Sequence, residues 1–249
     1  MEYPGDYMVL LTGATGLLGG NLIRILSGRG ERVRVLVLTK DPAIASLLDN
    51  IEVITGDLLD DGALDRFFAV AEDAPVTVIR AAGIVTMDPK PNRMVHAVNV
   101  DGTRAIVDRC VRNRVHRLVY VSSTGAIPEP PVGTPITQPE RMQPDAVVGY
   151  YAQTKAEATA LVMRAVREQG LNASIVYPSG IIGPNDLGAG LITSSLKMAA
   201  QGKLRVAVGG TVNLVDVRDL AQGILSCARA GEKARATSWA ARCIRLPTC

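Results

Sequence analysis

The chain has 249 residues, of which 47% are hydrophobic, 4% aromatic and 20% charged, and its net charge is +3. This length suits a large domain with a sizeable core, and the apolar fraction excludes a disordered chain. The nearly balanced charge gives no reason to expect a nucleic-acid partner. No apolar run approaches the ~18 residues of a membrane span, and the first residues lack a secretory signal. We therefore expect a cytoplasmic protein with no membrane partner.

The spacing of cysteine and histidine residues predicts no metal site. The chain has four cysteines and two histidines. No two cysteines form a CxxC pair, and neither His96 nor His116 has a cysteine at a metal-ligand spacing. Cys110 and Cys227 fall in helical patterns, so we interpret them as small core residues.

The first element is an apolar run of strand length at 8–11, which leads into the glycine-rich turn 12–19, TGATGLLG. Apolar residues at helical spacing follow the turn. Gly13 permits a tight turn, Gly16 lets the backbone approach a pyrophosphate, and Gly19 lets the helix pack closely on the strand. The free N–H groups of the helix start would then bind the phosphates of a dinucleotide. Thr15, Leu17 and Leu18 complete the binding candidates in this turn.

Strand and helix patterns then alternate along the chain. Further strands are predicted at 32–39, 51–55, 76–79, 117–121 and 173–177. Helical patterns are predicted at roughly 43–49, 61–71, 92–113 and 149–169. Such βαβ units predict an α/β fold, a doubly wound parallel sheet of the Rossmann type. The segments 128–144 and 177–190 are rich in proline or glycine and predict long loops, which are usually functional.

The end of the second strand bears on the choice between NAD and NADP. An acidic residue at the strand tip would bind the ribose hydroxyls of NAD. Here Lys40 precedes Asp41, and the lysine can pair with a 2′-phosphate, which favours NADP over NAD. Alternatively, Lys40 is a solvated loop charge and Asp41 caps the next helix.

Two further strand ends carry weaker signals. Asp57 and Leu58 follow the third strand, where an aspartate either accepts a hydrogen bond from an adenine amino group or caps a turn. Ala81, Ala82 and Gly83 follow the fourth strand, and small residues there would let a cofactor lie across the strand ends.

The strongest catalytic signal is the pair Tyr151 and Lys155, which share one face of a predicted helix. An ammonium beside a phenol favours the phenolate and lowers its pKa towards neutral pH. The fifth strand ends in a serine pair whose hydroxyls can bind a substrate oxygen. Tyr150 has no lysine four residues further on, so we assign Tyr151. Alternatively, the pair is an ordinary helix contact and the serines cap a strand.

With these residues in place, the chain resembles the short-chain dehydrogenase/reductase superfamily. It is most similar to the extended branch, which holds NAD-dependent epimerases and dehydratases and dihydroflavonol-reductase-like proteins. The resemblance covers roughly 8–228. Its motifs are TGATGLLG (12–19), GDL (56–58), AAG (81–83), NVDGT (99–103), YVSST (120–124), YAQTK (151–155), PSGIIGP (178–184) and VDVRDLA (215–221).

The resemblance implies Ser123 as the catalytic hydroxyl, with Thr124 as the fallback, Tyr151 as general acid/base and Lys155 as its partner. It also implies that Asn99 lies near the cofactor, although a structural role is as plausible. Pro178, Ser179 and Gly180 match the segment that passes the nicotinamide. The family often pairs subunits through two long helices, here 92–113 and 149–169, which would give a homodimer.

The resemblance implies a dinucleotide-binding domain at 1–177 and a mixed region at 178–249. The mixed region would hold a small substrate-binding part and would return to the Rossmann core near 211–228. Family members usually exceed 300 residues, and the tail 230–249 lacks the apolar strand and closing helices of the family. A truncated, frame-shifted or naturally short C-terminus would each explain this difference.

The expected function is hydride transfer between nicotinamide C4 and a carbonyl or hydroxyl carbon of a small molecule, either a sugar nucleotide or a ketone or aldehyde. The sequence does not separate a reductase from an epimerase or dehydratase. The alternatives are a catalytically idle NADP(H)-binding redox sensor or regulator and a structural α/β domain without a cofactor.

Overall fold

The chain forms a β-sheet with helices on both faces. A computed structural model describes residues 7–70, 75–131, 134, 136–137, 139–186, 190–203, 213–229 and, for the backbone, 241–245. The strands are β1 (Met8–Thr12), β2 (Arg32–Val37), β3 (Glu52–Thr55), β4 (Val76–Arg80), β5 (Arg117–Val121), β6 (Ala173–Pro178), β7 (Gly180–Ile182), β8 (Leu214–Asp216) and β9 (Ala241–Arg245). The α-helices are α1 (Leu17–Gly28), α2 (Asp61–Phe68), α3 (Arg93–His96), α4 (Gly102–Arg112), α5 (Tyr150–Gln169), α6 (Leu191–Ala200) and α7 (Val217–Arg229).

The strand order positions the candidate site. In the main sheet the order is β3-β2-β1-β4-β5-β6-β9, and β1 to β6 pair in parallel. The connections run outward in opposite directions from β1 and β4, so these two strands form the switch point of a doubly wound sheet. Ligands bind in the crevice beyond the carboxyl ends of such strands. The Rossmann-type fold predicted from the alternating pattern is confirmed.

The two faces of the sheet bury two apolar clusters. Val9 and Leu11 of β1 belong to the cluster with α1 and α7, whereas Met8 and Leu10 belong to the cluster with α2, α4 and α5. This alternation follows from the two-residue period of a strand. Because both faces are covered, the strands read as continuous apolar runs.

Three predicted helices differ in the structure. The stretch 43–49 forms only a 3₁₀ turn at Pro42–Ser46, in which no side chain is fully buried. The predicted helix 92–113 is interrupted by a π-helical segment, Ala97–Asp101, between α3 and α4. The predicted helix 61–71 ends at Phe68.

The described C-terminal part packs against the core. A small parallel sheet pairs β7 with β8, and α7 then packs against α1. Part of the tail forms a strand of mixed composition, β9, which pairs antiparallel with β6. Strand pairing uses backbone groups, so an edge strand accepts a partner that is not apolar. Residues 230–240 and 246–249 lie outside the described part, and the domain boundary at 177 stays a prediction.

The described helices include none with both the length and the apolar character needed to cross a bilayer.

Candidate active site

The glycine-rich turn between β1 and α1 forms one wall of the crevice. Gly13 has a φ of +79°, and a Cβ there would lie 2.6 Å from the backbone nitrogen of Ala82. A Cβ on Gly19 would lie 2.0 Å from the Gly13 carbonyl oxygen, so α1 packs directly on the turn. Gly16 is exposed, and its Cβ would meet only the Gly13 oxygen at 3.5 Å. No side chain of the described residues caps α1, so its first N–H groups suit an anionic ligand.

Asp41 connects the tip of β2 to this turn. Its carboxylate accepts a hydrogen bond from the Thr15 hydroxyl at 2.7 Å and another from the Ala43 backbone nitrogen at 2.9 Å. Asp41 therefore caps the 3₁₀ turn, one of the two roles considered for it. Lys40 is exposed and forms no ion pair with a described residue. A cavity beside these residues is lined by Thr15, Gly16, Arg24, Ser46, Leu47 and Asn185.

The residues after β3 hold the local turn. The Asp57 carboxylate accepts a hydrogen bond from the Leu59 backbone nitrogen at 2.9 Å, which matches the turn-capping alternative. Leu58 is buried in the cluster beneath α2 and α4, so it contributes packing. A contact of either residue with adenine stays a prediction.

Ser123 and Tyr151 come together although 27 residues separate them along the chain. The Ser123 hydroxyl lies near the Tyr151 phenol and acts to lower its pKa, and Ser123 accepts a hydrogen bond from the Gly125 backbone nitrogen at 3.2 Å. Ser122 has a different role, because its hydroxyl pairs with that of Thr159 at 2.7 Å inside the core. The structure thus places the second serine of the pair next to the tyrosine.

Lys155 lies one helical turn after Tyr151 in α5 and is buried. Its Nζ donates a hydrogen bond to the Val121 carbonyl oxygen at 2.7 Å and lies 5.0 Å from the centre of the Tyr120 ring. Burial, assisted by the positive charge of Arg80, lowers the pKa of Lys155 to about 7. Its ammonium therefore titrates near neutral pH.

The expectation that the pKa of Tyr151 lies near neutral pH is wrong in this structure. Burial raises the pKa of Tyr151 to about 12, although the nearby Ser123 hydroxyl acts in the opposite direction. The sequence pattern does not show how deeply the phenol is buried, and the free-energy cost of desolvating the phenolate dominates its pKa here. The phenol therefore keeps its proton at neutral pH.

We predict that Lys155 makes folding stability rise with pH above neutrality. The pKa of this lysine is about 7 in the folded chain and has its ordinary value of 10.5 in the unfolded chain. Between these values the unfolded chain binds a proton that the folded chain lacks, so the free energy of unfolding rises with pH. Urea denaturation at several pH values between about 7 and 9 measures this slope. Lys155→Met should remove the contribution of Lys155 to this slope, whereas the control Lys197→Met, at an exposed position, should keep it. Equal slopes in wild type and Lys155→Met would contradict the prediction.

Asn99 holds the loop that follows β4. Its Oδ1 accepts a hydrogen bond from the Ile84 nitrogen at 2.9 Å, and its Nδ2 donates to the Ile84 oxygen at 3.0 Å and to the Thr154 hydroxyl at 3.1 Å. A Cβ on Gly83 would lie 3.3 Å from Asn99 Oδ1 and 3.9 Å from Lys155 Nζ. Asn99 therefore has the structural role that the sequence left open, and it positions Gly83 against the lysine. Ala81 and Ala82 lie between Gly83 and β4, beside the glycine-rich turn.

The segment after β6 closes the far side of the site. Pro178 ends β6, and Gly180 begins β7. The Ser179 hydroxyl between them is buried without a hydrogen-bond partner among the described atoms. A buried hydroxyl without a partner costs free energy unless a ligand satisfies it.

Two site residues escaped the sequence analysis. Asn21 lies on the buried face of α1 and donates hydrogen bonds to the Leu17 oxygen at 2.8 Å and the Pro184 oxygen at 3.0 Å. It thereby ties the segment after β7 to the first helix. Arg80 ends β4 and is 1% exposed. In the sequence, Asn21 could have been found as a polar residue on an apolar helix face. Arg80 could have been found as a charged residue at the end of an apolar strand.

Comparison with known proteins gives the family. The family model described as "NAD dependent epimerase/dehydratase family" matches residues 9–238. Sterol demethylase protein B of Methylococcus capsulatus is 33% identical over 214 residues, which are 85% of this chain and 62% of that protein. A putative dihydroflavonol 4-reductase of Synechocystis is 29% identical over 90% of this chain and 64% of its own length. The chain thus spans about three fifths of these relatives.

Solved structures share the fold. The terminal R domain of the myxalamid biosynthetic pathway has a TM-score of 0.74 and 26% identity, over 92% of this chain and 64% of that one. A UDP-glucose 4-epimerase of Thermus thermophilus in complex with NAD has a TM-score of 0.73 and 23% identity, over 90% of this chain and 75% of that one. The family match, the parallel sheet and the glycine-rich turn agree: the chain belongs to the NAD-dependent epimerase/dehydratase family, within the short-chain dehydrogenase/reductase superfamily.

Proposed function

We propose that this chain catalyses hydride transfer between C4 of a nicotinamide cofactor and a carbonyl or hydroxyl carbon of a small molecule. The observation that carries the proposal is the placement of the Ser123 hydroxyl beside the Tyr151 phenol, with the buried Lys155 one turn further along the same helix. Ser123 follows β5 and Tyr151 begins α5, and both lie at the carboxyl edge of the sheet that carries the glycine-rich turn. A proton donor and a dinucleotide cradle at one edge fit an oxidoreductase.

The residues present fit a dinucleotide. Gly13 and Gly19 have no room for a Cβ, whereas Gly16 opens outward and leaves space for a diphosphate. The uncapped start of α1 supplies N–H donors to that space. At the other end, the unpartnered hydroxyl of Ser179 is available to a polar group such as a carboxamide.

The side chains then have separate roles in the reaction. A bound nicotinamide supplies the hydride in reduction and accepts it in oxidation. Tyr151 gives its proton to the substrate oxygen in the reductive direction, for which a phenol with a pKa of about 12 is in the correct protonation state. The Ser123 hydroxyl donates to the same oxygen and orients it. The ammonium of Lys155 stabilises the phenolate that remains on Tyr151.

The surroundings of the site favour an apolar ketone or secondary alcohol over a sugar nucleotide. Val148 precedes α5 and is 92% exposed, and Val85 and Met87 of the loop after β4 are 60% and 77% exposed. Exposed apolar side chains beside a catalytic group suit a bulky apolar substrate. Relatives of the chain include proteins described as acting on sterols and a ceramide reductase of Caulobacter vibrioides, 34% identical over 180 residues, which supports this class.

We further propose a preference for NADP(H). Lys40 lies beside the carboxylate that contacts the glycine-rich turn, and no described carboxylate neutralises it. Lys40→Glu is expected to weaken NADPH binding about tenfold, because a phosphate contact is lost and a repulsive charge gained. Fluorescence titration with NADPH and NADH measures this. NADH binding should change less than twofold, and Lys197→Glu should affect neither cofactor; equal losses for both cofactors in Lys40→Glu contradict the preference.

The function itself is tested with apolar ketones and nucleotide sugars in the presence of NADPH or NADH. A reductase consumes the reduced cofactor in step with product, which absorbance and product chromatography measure together. Epimerisation of a nucleotide sugar without net cofactor change would replace the ketone assignment. Tight cofactor binding without turnover on either substrate class would instead support the idle sensor.

A further inference from the structure

Arg80 is a buried cation without a counter-ion among the described residues. It ends β4, is 1% exposed, and is among the largest fully buried side chains of the described chain. Within the described ranges, no carboxylate comes close enough to form an ion pair with it. A buried charge without an ionic partner is costly and must be stabilised by other polar groups.

The guanidinium of Arg80 bridges two backbone segments. Nη1 donates a hydrogen bond to the Ala82 carbonyl oxygen, and Nη2 donates one to the Val98 oxygen at 2.7 Å. Ala82 belongs to the loop after β4, and Val98 lies in the π-helical segment before α4. The planar fork of arginine suits two fixed acceptors better than a single ammonium does.

The loop that Arg80 holds contacts both halves of the site. Ala82 packs against the glycine-rich turn, since a Cβ on Gly13 would lie 2.6 Å from its nitrogen. Gly83 faces the catalytic side, since its Cβ would lie 3.9 Å from Lys155 Nζ. Asn99, which follows Val98, holds the end of the same loop by hydrogen bonds from its side chain to the backbone of Ile84. A shift of this loop would therefore move the cofactor wall and the surroundings of the lysine together.

Arg34 shows what a purely structural buried arginine looks like in this chain. It donates to the carbonyl oxygens of Phe67 and Ala69 at the end of α2, and Glu52 neutralises it at 2.8 Å. Arg80 also donates to carbonyl oxygens, but no described carboxylate pairs with it, and it lies at the edge of the sheet that carries the site.

We propose that Arg80 is a positioning residue of the active site, which holds the loop 81–83 between the glycine-rich turn and Lys155 and places an unneutralised positive charge near the lysine. The charge is one of the causes that lower the pKa of Lys155. The inference rests on the proposed function, because it gives Arg80 a role in cofactor binding and in the protonation of Lys155.

The test compares Arg80→Gln, which removes the charge, with Arg80→Lys, which keeps the charge but loses the fork. NMR of chain labelled with ¹³C-lysine measures the titration midpoint of Lys155, assigned by the loss of its signal in Lys155→Met. Fluorescence titration measures the Kd for NADPH. Arg80→Gln is expected to raise the midpoint by about one pH unit and to weaken NADPH binding about tenfold. Arg80→Lys should weaken binding but leave the midpoint near that of wild type.

Arg34→Gln is the matched control, since it also removes a buried arginine that binds carbonyl oxygens. It should lower stability while leaving the Lys155 midpoint and the Kd for NADPH unchanged. A folded Arg80→Gln with an unchanged midpoint or an unchanged Kd overturns the proposal. If Arg80→Gln does not fold, wild-type NADPH binding by Arg80→Lys overturns it. A wild-type chain that binds no dinucleotide contradicts the proposed function instead, and the Lys155 midpoint in Arg80→Gln and Arg80→Lys then decides the role of Arg80.

Discussion

Replacement of Tyr151 by phenylalanine is expected to lower kcat by about a thousandfold while leaving the Kd for the cofactor within twofold of wild type. The phenol is the proton donor in the proposed reaction, and general acid catalysis contributes on this scale. The ring itself remains, so the packing at the start of α5 is retained. Steady-state kinetics on a ketone substrate, together with cofactor titration, measures both quantities.

Tyr150→Phe is the matched control for this experiment. It removes the hydroxyl group of the adjacent tyrosine, which has no lysine four positions further along the helix. We expect its kcat to stay within about twofold of wild type, since ordinary surface changes have small effects. Turnover of Tyr151→Phe within a few-fold of wild type would sink the proposed mechanism.

The second large effect is expected at Gly19. A Cβ there would lie 2.0 Å from the Gly13 carbonyl oxygen, and that oxygen belongs to backbone that cannot swing away like a side chain. Gly19→Ala should therefore push α1 off the turn, lower the free energy of unfolding by more than about 3 kcal/mol and abolish dinucleotide binding. Urea denaturation and NADPH titration measure the two losses.

Gly20→Ala provides the control one residue further along α1. A Cβ on Gly20 would lie 3.8 Å from the Ala14 oxygen, which is an ordinary contact. Because alanine favours a helix interior over glycine, this variant should gain up to about 1 kcal/mol of stability and keep cofactor binding. Equal behaviour of the two variants would show that α1 does not pack on the turn as described.

Some site residues could be identified from a local sequence pattern, whereas others required the family resemblance or the tertiary structure. Tyr151 and Lys155 were predicted because their four-residue spacing puts them on one helix face, a local property. The family resemblance selected Ser123 over Ser122. The structure gives a physical basis for that choice, because the Ser122 hydroxyl is hydrogen-bonded to the Thr159 hydroxyl in the core. Asp57 left two interpretations open, and the turn bond to Leu59 supports one of them.

The sequence by itself determined the alternation of strands and helices, the glycine-rich turn and the helix that carries the tyrosine and lysine. These follow from the periods of strands and helices and from the need for glycine where backbone segments touch. Only the tertiary structure decided that Lys155 bonds to Val121, that Arg80 is buried beside the site, and that burial raises the pKa of Tyr151. Desolvation depends on every element packed around a group, and residues distant in the chain supply that packing, so no local pattern encodes it.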